Sequence, residues 1–340
     1  MIRAPALRAR VVALELYLSD AQAPPEEHRA TIAAFLSLAG DVLDKMLNQR
    51  GLNFGDLRVT VTSEVQAAVA AEVATLGLHP DQAAQPESLG GLSGKALVDH
   101  EWVPVAVVAG WSPGPSPLST LQVVARELGH VLVITIGTAL GSSRADPATV
   151  AESDEAVALA TADEYRADQF AAVLCELGFK AADVNGTPID IWELRRDSFL
   201  STLDELLSSV VPVVPDLVQA ARAGQTDPEQ AYYEARNRLH DAFNLLGYLE
   251  GTFAGDGTTI SASSHPAADL LRPFWEPLFA HLCSSPSVCA NDQWFDDEAE
   301  VRRIGREGID AVYRRVGLTR TDNGNGGLSL KLTSPTWTPP

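Results

Sequence analysis

The chain has 340 residues, 46% of them hydrophobic and 21% charged. A composition that apolar builds a packed core and excludes disorder over most of the length. With 25 basic and 45 acidic residues the formal charge is −20, a field that repels phosphate backbones and anionic lipid, so neither nucleic acid nor a membrane is an expected partner.

The opening segment places basic residues before an apolar stretch, but Glu15 interrupts it and no small-residue cleavage site follows. Its alternation predicts a strand over residues 8–18 instead. Pro24-Pro25-Glu26-Glu27 opens a helix over about 25–49, with acids where the helix dipole favours them. Leu57 to Thr62 is β-branched and alternating, a strand, and Ser63 caps a short helix to about Leu76. Residues 79–96 are rich in Gly, Pro, Ser and Gln and read as a loop. Trp102 to Ala109 reads as a strand, entered through a proline. Ser119 and Gln122 form a capping-box pattern ahead of a helix over 121–140 that is apolar almost all round, hence interior. Residues 152–178 form a long helix stopped by Gly178.

The second half reads as helical over 190–209, 226–253, 266–283 and 297–316, and residues 319–340 as a disordered or extended tail. The acids Asp292, Asp296, Asp297, Glu298 and Glu300 suit a solvated helix start, since their spacing is not that of a calcium loop. The longest apolar run, 131–140, is half the roughly 20 residues that span a bilayer. Cys175, Cys283 and Cys289 are too few, and without a C-x-x-C, to form a disulfide framework or a thiolate metal site. Reduced thiols in a cytoplasmic protein are the expectation.

Chemistry concentrates on the apolar helix 121–140. Arg126, Glu127 and His130 interrupt it, and charges in an interior must be paired or used. Arg126 and His130 are four apart and share a face, which Glu127 borders. On the next helix Glu164 and Asp168 are also four apart.

The run Arg126-Glu127-Leu128-Gly129-His130 resembles the H-E-L-G-H form of the H-E-x-x-H signature, with arginine in place of the first histidine. Glu164-Tyr165-Arg166-Ala167-Asp168 resembles the downstream E-x-x-A-D segment of gluzincin metallopeptidases, including the ImmA/IrrE type. The resemblance covers residues 8–178. It implies an α+β fold: a zincin-like small mixed sheet with active-site helices over 1–180, followed by a mainly helical part over 181–318. It also implies site roles. Glu127 matches the general base, His130 the second histidine ligand, Glu164 the third ligand, and Asp168 the acid orienting a histidine or a substitute ligand. Arg126 matches the first ligand and departs from it, because a guanidinium keeps its protons and offers no lone pair. The cofactor expectation is therefore no metal or weakly bound zinc, with Arg126 ion-paired where the cation would sit.

The first reading is a degenerate, non-hydrolytic metallopeptidase-like protein that binds a peptide or protein partner through the inherited cleft. The second is an active peptidase with a non-standard ligand set, in which Asp168 or His100 completes the site. The third is a helical scaffold whose charged residues form a structural ion-pair cluster. His100, His240, His265 and His281 read as surface or packing histidines, and nothing selects Tyr232 or Tyr233 for a site.

Overall fold

The computed structural model describes residues 14–18, 24, 26–52, 56–83, 94–111, 117–139, 147–182, 200–253, 267–284, 298–323 and 328–337. The fold is mixed α+β with a helical C-terminal half. It divides into two compact units, Met1–Ser142 with Phe170–Ile189 and Ser143–Gln169 with Asp190–Pro340. The expected boundary near residue 180 is corrected by this division: Ser143–Gln169 clusters with the second unit.

The first unit contains β1 (Leu14–Leu18), α1 (Glu26–Asn48), β2 (Leu57–Thr62), α2 (Val65–Leu76), β3 (Gly94–Val98), β4 (Pro104–Gly110) and α3 (Leu118–Ala139). The four strands form one sheet in the order β1-β2-β4-β3. The first three are parallel, with Leu16 beside Val59 and Val59 beside Val107, and β3 runs antiparallel at the edge. Both faces of the sheet are covered, so β4 is apolar on both sides and Ala106, Val107, Val108 and Ala109 are all fully buried. Alternation along the strands assigns the faces. Val69 and Val73 of α2 pack with Leu97, Ala106 and Val108. On that face Glu72 accepts hydrogen bonds from Arg58 Nη1 (3.0 Å) and Thr60 Oγ1 (2.9 Å).

Three expectations for this unit change. The predicted loop over 79–96 contains a 3-10 turn, Pro80–Ala83, and ends in β3. Gln82 clamps the turn to that strand: its side-chain amide donates to the Val98 carbonyl (2.8 Å) and accepts from the Val98 N–H (2.9 Å). The strand predicted from Trp102 begins at Pro104. Helix α3 begins at Leu118, so Ser119 lies inside it and does not cap it. Its stretch Leu118–Gly137 is long and apolar enough to cross a membrane by length and composition, although 78% of it is buried inside the fold.

The long helix α4 (Val150–Ala182) belongs to the second unit as far as Gln169. Thr149 and Glu152 cap it reciprocally: the Glu152 carboxylate accepts from the Thr149 N–H (3.1 Å), and Thr149 Oγ1 accepts from the Glu152 N–H (3.1 Å). The second unit continues with a helical stretch from residue 200 ending in a π-turn at Leu206–Val210. Then come α5 (Val213–Arg222), α6 (Pro228–Phe253), α7 (Ala268–Ser284) and α8 (Glu298–Arg315). Aromatic side chains fill its core, with the rings of Phe243 and Phe274 4.3 Å apart. The segment predicted over 190–209 lies outside the described residues as far as 199. So do Asp292, Asp296 and Asp297, whereas Glu298 and Glu300 open α8 and pair with Arg302 and Arg303.

Of the two expectations for the tail, the described residues bear out the extended one and correct the disordered one. Leu318–Asp322 (β5) and Leu328–Leu332 (β6) pair as an antiparallel hairpin, and Trp337 beyond it is 6% exposed. The hairpin holds the start of α4. Asp322 Oδ1 accepts from the Val150 N–H at 2.9 Å, and Arg320 makes a bidentate pair with Asp154.

Candidate functional site

Arg126, Glu127 and His130 lie on α3 in the first unit, and Glu164 and Asp168 lie on α4 in the second.

Along α3, Val123, Arg126, His130 and Ile134 are partly exposed while most of their neighbours are buried. This spacing is one helical stripe, so Arg126 and His130 share a face as their separation predicts. Glu127 turns inward and is 2% exposed. Arg126 Nη1 lies 3.6 Å from Glu127 Oε1, with the arginine side chain 25% exposed. The guanidinium group is thus mostly covered while the side chain keeps some contact with solvent.

The edge strand closes over Glu127. A Cβ on Gly94 would come within 2.8 Å of Glu127 Cγ and 2.9 Å of Val123 Cγ1, so only glycine lets β3 pack this closely on α3. The next residue, Lys95, donates from Nζ to the Gln82 carbonyl at 2.6 Å. Burial lowers the Lys95 pKa and the Glu127 charge partly restores it. Glu127 therefore sits within the field of two cations, Arg126 and Lys95. Gly94 and Lys95 lay inside the predicted loop, where only the break in the Gly-rich run at Lys95-Ala96-Leu97-Val98 could have signalled a strand.

In the second unit, α4 meets α6 at two glycines one helical turn apart. A Cβ on Gly247 would lie 2.5 Å from the Thr161 carbonyl oxygen and 3.2 Å from Glu164 Cβ. A Cβ on Gly251 would lie 2.3 Å from the Tyr165 carbonyl oxygen and 3.0 Å from Asp168 Cβ. Glu164 and Asp168 thus flank a tight helix crossing, Asp168 at 2% exposure and Glu164 half-buried. Polar groups gather beside them. Glu250 is 2% exposed, Arg166 Nη1 lies 3.6 Å from Asp163, and the Tyr165 hydroxyl lies 3.7 Å from Cys283 Sγ. Burial, reinforced by Cys283 and Glu250, holds the Tyr165 phenol well above its ordinary range, so it stays protonated.

His240 of α6 faces the same region. Burial pushes its imidazole below the ordinary range, the Arg236 charge adds to that, and Glu164 opposes both. The unfolded chain consequently takes up this proton before the folded one as pH falls. Stability contributed by neutral His240 is complete above about pH 6.5 and declines below it. His240→Gln is expected to flatten urea-unfolding stability between pH 7 and 5; a slope identical to that of the natural chain would contradict this.

Tyr232 packs against Tyr313 with ring centres 5.8 Å apart, Tyr233 is exposed, and His265 lies outside the described residues. His100 is exposed at the β3–β4 turn. Among the described residues no group of three or more His, Cys, Asp or Glu is placed to hold a metal ion. Comparison of the chain with family models, with curated proteins and with solved structures finds no match.

Proposed function

We propose that the chain is a zinc-metallopeptidase-like protein without hydrolytic activity, which binds a peptide or protein partner on the surface inherited beside its motif helix. One observation carries this reading. The glutamate at the general-base position is buried and ion-paired at 3.6 Å with an arginine that stands where the first metal ligand would be. The order of elements supports it: strand, helix, strand, short helix, edge strand, inner strand, then the motif helix. The donor set does not fit zinc, because a protonated guanidinium offers no lone pair and adds a positive charge where a dication would have to sit. The partner would enter as an extended segment beside β3, the strand at the sheet edge nearest Glu127, using main-chain hydrogen bonds.

The test is metal binding. Arg126→His is expected to raise zinc affinity at least tenfold over the natural chain in a calorimetric titration, because it restores the missing donor. No gain would mean that the remaining ligands of the constellation are not assembled.

A further inference from the structure

The turn joining β3 to β4 holds a tryptophan where the backbone favours glycine. The Trp102 N–H donates to the Asp99 carbonyl at 3.1 Å, and the Asp99 N–H donates to the Val103 carbonyl at 2.9 Å. That pattern is a tight turn over Asp99–Trp102 whose last residue lies in the left-handed region, the position that a hairpin of this kind gives to glycine. Trp102 fills it with φ +62°, the one non-glycine residue at positive φ among the described residues. The conformation is enforced from below. Asp99 Oδ1 accepts from the Glu101 N–H at 2.8 Å and from the Val103 N–H at 2.9 Å. The side chain so placed is 46% exposed, which Leu200 alone equals among the large hydrophobics of the described residues. A large aromatic ring is thus presented to solvent by a turn that would be less strained without it, and strain of this kind concentrates at binding sites.

We infer that the β3–β4 turn is a docking point for a basic peptide segment, with the Trp102 indole receiving an arginine or lysine side chain and Glu101 pairing its charge. Charge complementarity selects the partner. Glu101 and His100 are exposed beside Trp102, and the whole chain carries −20. An indole face attracts a cation, and tryptophan and arginine are the residues that most often anchor interfaces. The inference stands on the turn alone and does not depend on the reading of α3.

The probe is a fluorescein-labelled peptide of alternating arginine and glycine, with a glutamine–glycine peptide as control, measured by anisotropy at about 0.15 M salt, where long-range attraction is screened. The arginine peptide should bind the natural chain and the control should not. Trp102→Gly should weaken binding at least tenfold while leaving the melting temperature equal to or above that of the natural chain, because glycine relieves the backbone. Glu101→Gln should weaken binding by a smaller factor. Undiminished binding by Trp102→Gly would overturn the inference, and so would equal binding of the control peptide. A fall in the melting temperature of Trp102→Gly would assign the indole to the fold. Trp102-dependent sedimentation with phosphatidylcholine vesicles would replace the peptide with a lipid surface.

Discussion

Replacing Arg320 by methionine is expected to destabilise the second unit by about 3–5 kcal/mol, the usual cost of leaving one member of a buried ion pair alone. The guanidinium reaches both oxygens of Asp154, at 2.8 and 2.7 Å, and the two side chains are 1% and 6% exposed. Its Cζ lies 3.8 Å above the centre of the Tyr313 ring. Burial pushes the Asp154 carboxyl upward even with Arg320 opposing it, and the Arg236 charge opposes it by less than Arg320 does. Methionine preserves much of the apolar stem, so the loss reports the charge and not the packing. The double variant Asp154→Leu with Arg320→Met should recover most of the loss, because it removes both buried charges together. The readout is protection of the α8 amides in native-state hydrogen exchange. A loss below about 1 kcal/mol for Arg320→Met, the value of an exposed pair, would contradict the assignment.

Gly251→Ala should also destabilise, and here two effects compete. Alanine gains about 1 kcal/mol of helix propensity over glycine. Against that, the new methyl would sit 2.3 Å from the Tyr165 carbonyl oxygen and 2.9 Å from its Cα. Both are backbone atoms of α4, which cannot rotate away, so the helices must separate. Overpacking of this kind costs about 1–3 kcal/mol and more where nothing yields. A net loss of about 2 kcal/mol is expected in urea unfolding, with a similar loss for Gly247→Ala, whose methyl would meet the Thr161 carbonyl at 2.5 Å. Stabilisation by either alanine would show that α4 and α6 stand further apart.

The parts of this fold that were legible in the sequence are those fixed by local periodicity. The LRVTVT strand falls on Leu57–Thr62 as predicted, and the helices over 25–49 and 226–253 agree within a few residues. Positions that depend on distant partners were not legible. Asp154 and Arg320 are 166 residues apart, and neither position carries a local signal that names the other. The C-terminal hairpin is a different case. Asn323-Gly324 and Asn325-Gly326 between LTRTD and LSLKL are a strong hairpin signal, which glycine-rich composition masked as disorder.

The candidate site divides in the same way. The shared face of Arg126 and His130 follows from their spacing. The approach of β3 to Glu127 depends on Gly94, whose role appears only once the strand is placed against the helix. Trp102 looked like the first residue of a strand, because a left-handed residue cannot be told from an extended one by hydrophobic pattern.

The proposed function rests on an arginine having displaced a metal ion from the motif helix. Zinc per chain, measured by elemental analysis after the purified protein is equilibrated with zinc and then passed through a desalting column, tests it most directly. Far less than one zinc per chain is expected for the natural sequence and close to one for Arg126→His. One zinc retained by the natural chain would contradict that displacement and favour an active peptidase with a non-standard ligand set.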